Sequence, residues 1–452
     1  MTSPAPAAPR ILGRSALVAL VLNSIIGSGV FVLPGTIGGR LGWGAVPAWI
    51  AGAAIIALCV AAFAEVSSRF ESGGGPYRYA HAAFGPLIGI EVAWLVYFAR
   101  TLSAAAQANL FTTALGEFWP WSASRAGALT LTTLFIVPLA FVNVRGTRGG
   151  ARTSSLFAMI KVGALLLLGL AGCWWLTRGA AVTLVPPSDA TPGGWFSAML
   201  LLAFAYGGFE GAMIPLGEAR DPRRDAPFAL ITGFIVVVII YLLVQVAVLA
   251  TVADPGATPR PLASSARTMA GTPGAIGATL LVVASVTGWM AASMLNMPRM
   301  TVAMAHDGML PAALARRHST FGTPVRSIAL FAALSWMLAL SASLLQNVSL
   351  SAVARLLAYG VVCAAMVRFR QRERAGRFTD GVRGALLRVP AGTVVGGLGC
   401  VLIAGVLLQT SAREAASVSV VIVCAALHWW RTRGARGRAD QADSSSSTAR
   451  RA

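Results

Sequence analysis

The chain has 452 residues, of which 56% are hydrophobic and only 12% are charged. Soluble globular domains usually carry about a quarter charged residues, so this composition disfavours a soluble enzyme, a nucleic-acid binder or a disordered regulator. The formal net charge is +20, but the arginines lie in short segments between long apolar runs. That distribution is typical of a membrane protein with positively charged cytoplasmic loops.

Twelve apolar runs follow one another, each long enough to cross a bilayer as a helix of about 20 residues. They cover residues 15–38, 43–68, 86–115, 126–144, 153–176, 195–216, 227–253, 274–304, 325–343, 349–367, 389–409 and 415–430. With the N-terminus in the cytoplasm, the inside loops contain 26 arginines and the outside loops contain six. Every inside loop exceeds its neighbours, which predicts twelve spans with both termini in the cytoplasm.

Two of these runs contain glycines at mid-bilayer depth. The first run contains Gly27, Ser28 and Gly29, and the sixth contains Gly207 and Gly208. Glycine favours unwinding, and lipid tolerates unpaired backbone only where it lines a cavity or binds a ligand. Close helix packing on small residues is the alternative. Because the breaks begin two successive blocks of five runs, they favour an inverted-repeat transporter with a midplane site.

The runs therefore predict an all-α polytopic membrane protein with five parts. A cytoplasmic N-terminus (1–14) is followed by a first five-helix repeat (15–180), a second repeat (190–370) and two additional helices (385–430). The tail (431–452), with its run of serines, is predicted to be a disordered cytoplasmic extension. The polar start of the chain shows no cleavable signal peptide.

Cysteine and histidine spacing indicates neither a metal site nor a disulfide framework. All five cysteines lie inside apolar runs without a CxxC spacing, and the four histidines form no HExxH-like pair. We therefore expect no metal, no cofactor and no nucleic-acid partner, and no motif points to an enzyme.

A broken helix presents a free N-terminus and a free C-terminus to one cavity. The N-terminal amides suit a carboxylate, and the carbonyls of the other end suit an ammonium group. The amides of Ser28 and Gly29 would face the carboxylate, and carbonyls near Ile25, Phe204 and Gly207 would face the ammonium. The two breaks thus predict a site for a zwitterionic amino acid.

Several segments resemble the amino acid–polyamine–organocation (APC) superfamily. IIGSGVFVLPG is similar to its opening helix, and FAEVSSRFESGGGPYRYAHAAFG to the end of helix 2 and the first inner loop. FAYGGFEGAMIPLGEARDPRRDAPFAL resembles helix 6 with its following loop, and NMPRMTVAMAHDGMLP the end of helix 8. The resemblance implies a five-plus-five inverted repeat with broken helices 1 and 6 and two further helices. It also implies a bacterial inner-membrane transporter of amino acids or polyamines, as a monomer or a homodimer.

Lys161 is the only lysine of the chain and belongs to the fifth run. It lies about 13 Å along the helix from Arg152, too deep for easy snorkelling to the interface, which is its alternative. The resemblance implies that it occupies the place where sodium-coupled relatives of the fold hold a sodium ion. We therefore expect sodium independence, with Lys161 either carrying the coupled proton or acting as a fixed cation.

Arg100 lies near the middle of the third run, where a charge is costly and normally faces a cavity or a partner. The resemblance places it at a position that faces substrate in an arginine–agmatine exchanger of the superfamily. An arginine there would repel cationic substrates and could hold a second carboxylate, favouring an acidic amino acid. The alternative is an ion pair with Glu210 or, less directly, Glu91, which would leave a site for neutral amino acids.

The resemblance implies three further site residues, Trp289 on the eighth run and Phe204 and Glu210 on the sixth. Trp289 matches a tryptophan that lines the site of the same exchanger, and Phe204, beside Ala205, matches an aromatic residue that closes over its substrate. Plain packing is the alternative for both aromatic side chains. Glu210 directly follows the break and could relay protons, act as a gate or pin the unwound backbone.

Together these patterns predict a sodium-independent secondary transporter of neutral or acidic amino acids, working by proton symport or by exchange, in either direction. A non-transporting amino acid sensor and a passive channel are the alternatives. The intact helix breaks argue against a sensor, and the scarcity of ionisable residues in the runs argues against a channel. The expected partners are the amino acid, protons and the lipid bilayer.

Overall fold

The regular structure of the chain is helical wherever it is described. The computed structural model describes residues 12–71, 73–146, 150–179, 182–306, 309–377 and 382–449, with the backbone alone at 150–155, 306 and 432–449. The α-helices are α1 (Arg14–Ile25), α2 (Ser28–Leu41), α3 (Ala45–Ser67), α4 (Pro76–Phe84), α5 (Pro86–Leu115), α6 (Arg125–Arg145), α7 (Gly150–Thr177), α8 (Pro192–Tyr206), α9 (Pro222–Thr251), α10 (Pro261–His306), α11 (Val325–Ser341), α12 (Leu344–Arg374), α13 (Gly392–Leu407) and α14 (Ala412–Ala449). Short 3₁₀ helices cover Gly42–Gly44, Pro120–Ala123, Phe209–Glu218 and Ala312–Leu314.

Nine helical segments of the described chain are long and apolar enough to cross a membrane, and three shorter apolar helices (α1, α11 and α13) accompany them. This confirms a multi-pass helical membrane protein. One of the nine, Ser28–Ser67, contains both α2 and α3, which meet at the 3₁₀ turn Gly42–Gly44. α14 is apolar as far as Arg431, and its helical backbone continues to Ala449 through the segment predicted as a disordered tail.

The first predicted break is present between α1 and α2. Ile26 (ψ 91°) and Gly27 (φ −127°, ψ −146°) leave the helical region, so the helical hydrogen-bond ladder stops and restarts. A side-chain carbon on Gly27 would overlap Nε2 of Gln107 on α5. An added Cβ at this position would therefore require the end of the Gln107 side chain to move.

The second predicted break is present where α8 ends at Tyr206 and the 3₁₀ helix begins at Phe209. Gly208 has φ +108°, a conformation that side-chain-bearing residues rarely adopt. A Cβ on Gly208 would also lie 2.5 Å from the carbonyl oxygen of Ser24 on α1. The two breaks are thus in direct contact with each other.

The ends of α3 and α12 are joined by a buried cluster of charges. Glu65 of α3 accepts hydrogen bonds from both Nε (2.7 Å) and Nη2 (2.5 Å) of Arg370 on α12. It also accepts one from the main-chain N–H of Val389 (2.8 Å), in the connection between α12 and α13. Arg69 bridges this carboxylate (3.3 Å) to that of Glu373 (2.5 Å). The cluster holds the connecting segment against the end of α3.

We expect Glu65→Gln to lower the free energy of unfolding by about 3–5 kcal/mol, because the variant removes a buried charge and leaves the Arg370 guanidinium without its ion-pair partner. The matched control is Glu71→Gln, since Glu71 pairs with Arg383 (2.9 Å) at the surface, where an ion pair contributes about 0–1 kcal/mol. Thermal unfolding of the purified protein in detergent would measure both variants. Equal losses in the two would contradict this assignment.

Candidate functional site

The carbonyls freed at the first break accept hydrogen bonds from side chains of other helices. Trp289 of α10 donates its Nε1–H to the carbonyl of Ser24 (3.1 Å). Tyr241 of α9 donates its hydroxyl to the carbonyl of Ile25 (3.3 Å). Because the bilayer core supplies no donors, an interrupted helix depends on partners of this kind.

Lys161 of α7 supplies the third donor of this series. Its Nζ lies 2.9 Å from the carbonyl oxygen of Ile26, and its side chain is buried, with 1% of the residue exposed. The interfacial alternative for this lysine is therefore wrong. The ammonium group touches the backbone of the first break itself.

Glu210 lies immediately after the second break and is buried. Its Oε1 is 3.4 Å from Nε of Arg355 on α12, and its Oε2 accepts hydrogen bonds from the hydroxyl of Tyr359 (2.5 Å) and the N–H of Gly208 (2.9 Å). Arg355 also donates from Nη1 to the carbonyl of Phe204 (3.4 Å). The second break is thus held by one carboxylate, one guanidinium and one phenol.

Arg100 of α5 reaches the same break from the other side. It donates from Nη1 to the carbonyl of Gly208 (3.4 Å) and the hydroxyl of Ser24 (3.2 Å), and from Nη2 to the hydroxyl of Ser293 (3.2 Å). Its guanidinium carbon lies 4.7 Å from the centre of the Trp289 ring, within the range of a cation–π contact. All three hydrogen-bond acceptors are uncharged.

The proposed ion pair between Arg100 and Glu210 is wrong in this conformation. Glu210 is paired with Arg355 instead, because α12 places that guanidinium directly beside the carboxylate. Glu91, the other suggested partner of Arg100, has an Oε2 that is buried without a hydrogen bond to any described residue. In this conformation no described carboxylate lies within ion-pair distance of Arg100, and its hydrogen bonds go to uncharged groups.

The remaining predicted residues also gather at the breaks. A Cβ on Gly29 would lie 2.9 Å from Cα of Ala205, and one on Gly207 would lie 2.5 Å from Cδ of Arg355. Ser28 begins α2, so its amide has no acceptor within the helix. Its hydroxyl is buried without a hydrogen-bond partner among the described residues.

Two of the three carbonyls expected to face an ammonium group, those of Ile25 and Phe204, have side-chain donors in this conformation. Ile25 is bonded by Tyr241 and Phe204 by Arg355. The expectation came from helix ends considered alone, and it omitted side chains that other helices bring to those ends. The amides at the start of α2 remain the predicted position of the substrate carboxylate.

Arg355 and Tyr359 are functional candidates that the sequence analysis missed. Arg355 stands inside the apolar run 349–367, so the criterion that singled out Arg100 would have found it too. Tyr359 lies one helical turn further along α12, on the same face. The serines and glutamine at the breaks, Ser24 and Gln107, carry no comparable signal because single polar residues are common in apolar spans.

We expect Gly208→Ala to destabilise the protein by about 2–4 kcal/mol, since alanine disfavours the positive φ and its Cβ would meet the Ser24 carbonyl. The control is Gly397→Ala on α13, where an added Cβ meets nothing within 4 Å. That helical position should gain up to about 1 kcal/mol. Thermal unfolding would compare the two, and an unaffected Gly208→Ala protein would contradict the packing described here.

Comparison with known proteins assigns the chain to a family. The family described as "Amino acid permease" matches residues 12–437, almost the whole chain. A cationic amino acid transporter 4, vacuolar, of Arabidopsis thaliana is 27% identical over 78% of this chain, which spans 62% of that protein's length. The branched-chain amino acid permease BcaP of Bacillus subtilis is 26% identical, over 80% of this chain and 82% of its own length.

An uncharacterized transporter of Mycobacterium tuberculosis is 28% identical over 92% of this chain and 90% of its own length. These relatives agree with the resemblance of the helix-break and loop motifs to the APC superfamily. The chain belongs to the amino acid permease family of that superfamily, whose members are membrane transporters of amino acids.

Proposed function

We propose that the protein is a sodium-independent secondary transporter of neutral or acidic amino acids, which works by alternating access and is proton-coupled or exchanging. The observation that carries this proposal is the pair of helix breaks in contact with each other, with a buried cation bonded to each. Family membership supports amino acid transport, and the breaks supply backbone groups that suit a zwitterion. Export by the same fold is the alternative direction.

Twelve spans in two inverted repeats are part of the proposal. α1 with α2, and α8 with the 3₁₀ helix Phe209–Glu218, each count as one broken span. α3, α5, α6, α7, α9, α10, α11, α12, α13 and α14 supply the other ten. On this count α7 and α12 are the fifth helices of the two repeats.

The two buried cations support that repeat. Lys161 lies on α7 and Arg355 lies on α12. Lys161 donates to the first break and Arg355 to the second. The fifth helix of each proposed repeat therefore gives a cation to the broken first helix of the same repeat.

We further propose a bacterial inner-membrane location with both termini in the cytoplasm. The excess of arginines in alternate loops supports this orientation. The substrate carboxylate would be held by the amides of Ser28 and Gly29, and the ammonium of Lys161 would take the place of a coupling sodium ion. Trp289 and Phe204 would cover the substrate, and Glu210 would hold the second break in its unwound form.

The test is uptake into sodium-free proteoliposomes of labelled alanine, leucine, glutamate and arginine, with and without an inward proton gradient. Accumulation driven by the gradient supports proton symport, and accelerated entry into preloaded vesicles supports exchange. Protein-free vesicles and the Gly208→Ala protein serve as controls. Absence of both accumulation and exchange for every amino acid would contradict transport and favour the sensor alternative.

We expect Lys161→Ala to abolish the pH dependence of uptake while the protein remains folded, because the variant removes an ammonium bonded to the break. Lys161→Arg is the matched variant, since it keeps the positive charge but cannot release a proton. Loss of pH dependence in both variants indicates that Lys161 carries the proton. Retained pH dependence in Lys161→Ala would remove this residue from coupling.

A further inference from the structure

The buried charges near the breaks do not balance. Three carboxylates are buried among the described residues, namely Glu65, Asp225 and Glu210. Glu65 belongs to the cluster with Arg370, and Asp225 pairs with Arg14 (2.9 Å). Of these three, Glu210 is therefore the carboxylate that can balance positive charge at the breaks.

Three buried cations lie at the two breaks, compared with that single carboxylate. Arg355 is its ion-pair partner, and Lys161 is bonded to a main-chain carbonyl. Arg100, with 2% of the residue exposed, is bonded to uncharged acceptors, and its Nε has no hydrogen-bond partner within the described chain. Even with a neutral Lys161, the site carries one more positive charge than negative.

An unbalanced guanidinium in the bilayer core is costly unless a counter-charge completes it. Arginine is also the side chain whose planar fork best matches a carboxylate. A bound anionic group would therefore supply the charge that the described protein lacks at this point. A cationic substrate would instead add to the excess and is disfavoured by it.

We propose that Arg100 binds the side-chain carboxylate of the substrate, so that the protein selects acidic amino acids over neutral and cationic ones. This rests on the proposed transport function and narrows its substrate class. Trp289 lies near both proposed carboxylate positions, the one at the start of α2 and the one at Arg100. Its Nε1 lies 3.5 Å from where a Cβ of Gly27 would stand, beside the amide end of α2, and its ring lies 4.7 Å from the Arg100 guanidinium carbon.

The sharpest test supplies the missing counter-charge from the protein. Ser293 accepts a hydrogen bond from Arg100 (3.2 Å) and is buried, so Ser293→Asp places a carboxylate beside the guanidinium. Ser293→Asn is the matched control, because asparagine is nearly the same size as aspartate but uncharged. Uptake of labelled glutamate and leucine would be measured for the wild type and both variants, with competition by unlabelled aspartate and glutamine.

We expect the wild type and Ser293→Asn to favour glutamate over leucine. Ser293→Asp should lower the ratio of glutamate uptake to leucine uptake by about ten- to a hundredfold, which corresponds to the free energy of a charge-assisted hydrogen bond. Arg100→Gln should cause the same loss and serves as the second variant if Ser293→Asp does not fold.

Three results would overturn the inference in different ways. Uptake of leucine or alanine without competition by glutamate or aspartate would refute acidic selectivity and leave the proposed transport function intact. An equal glutamate-to-leucine ratio in wild type, Ser293→Asp and Arg100→Gln would remove Arg100 from selection. Failure of every amino acid to accumulate or exchange would reject the transport function itself, and the inference with it.

Discussion

The arrangement at the centre of this protein depends on one requirement: main-chain carbonyls released by a broken helix must be hydrogen-bonded where water is scarce. The first break meets it with an indole, a phenol and an ammonium group, from three different helices. The second meets it with two guanidinium groups, from Arg100 and Arg355. Helices that are distant in the chain thus contribute the hydrogen-bond donors that the main-chain carbonyls at the breaks require.

That requirement also determines the electrostatics of the site. Cationic donors satisfy carbonyls more strongly than neutral ones, but each brings a charge into the membrane interior. Only the Arg355 charge is balanced within the described chain by a carboxylate in ion-pair contact, that of Glu210. The cationic side chains that stabilise the unwound backbone are thus the same ones that would attract an anion. Backbone stability and the proposed substrate selectivity therefore depend on shared residues.

The sequence predicted those features that leave a local signal. Adjacent glycines in apolar runs located both breaks, and a charge inside an apolar run located Lys161 and Arg100. The partner of Glu210 was predicted wrongly, because pairing depends on which side chain α12 presents to the second break, and no local pattern encodes that long-range contact. Arg355 carries the same local signal as Arg100, since it is a charged residue inside an apolar run.

The proposed repeat is symmetric in geometry but not in chemistry. Lys161 on α7 and Arg355 on α12 each donate to a break, yet an ammonium can release its proton and a guanidinium cannot. Arg355 also has a carboxylate partner, whereas Lys161 is bonded to a carbonyl. Release of a proton by Lys161 would therefore remove the charge of one donor from the first break, whereas the guanidinium groups of Arg100 and Arg355 would keep theirs at the second.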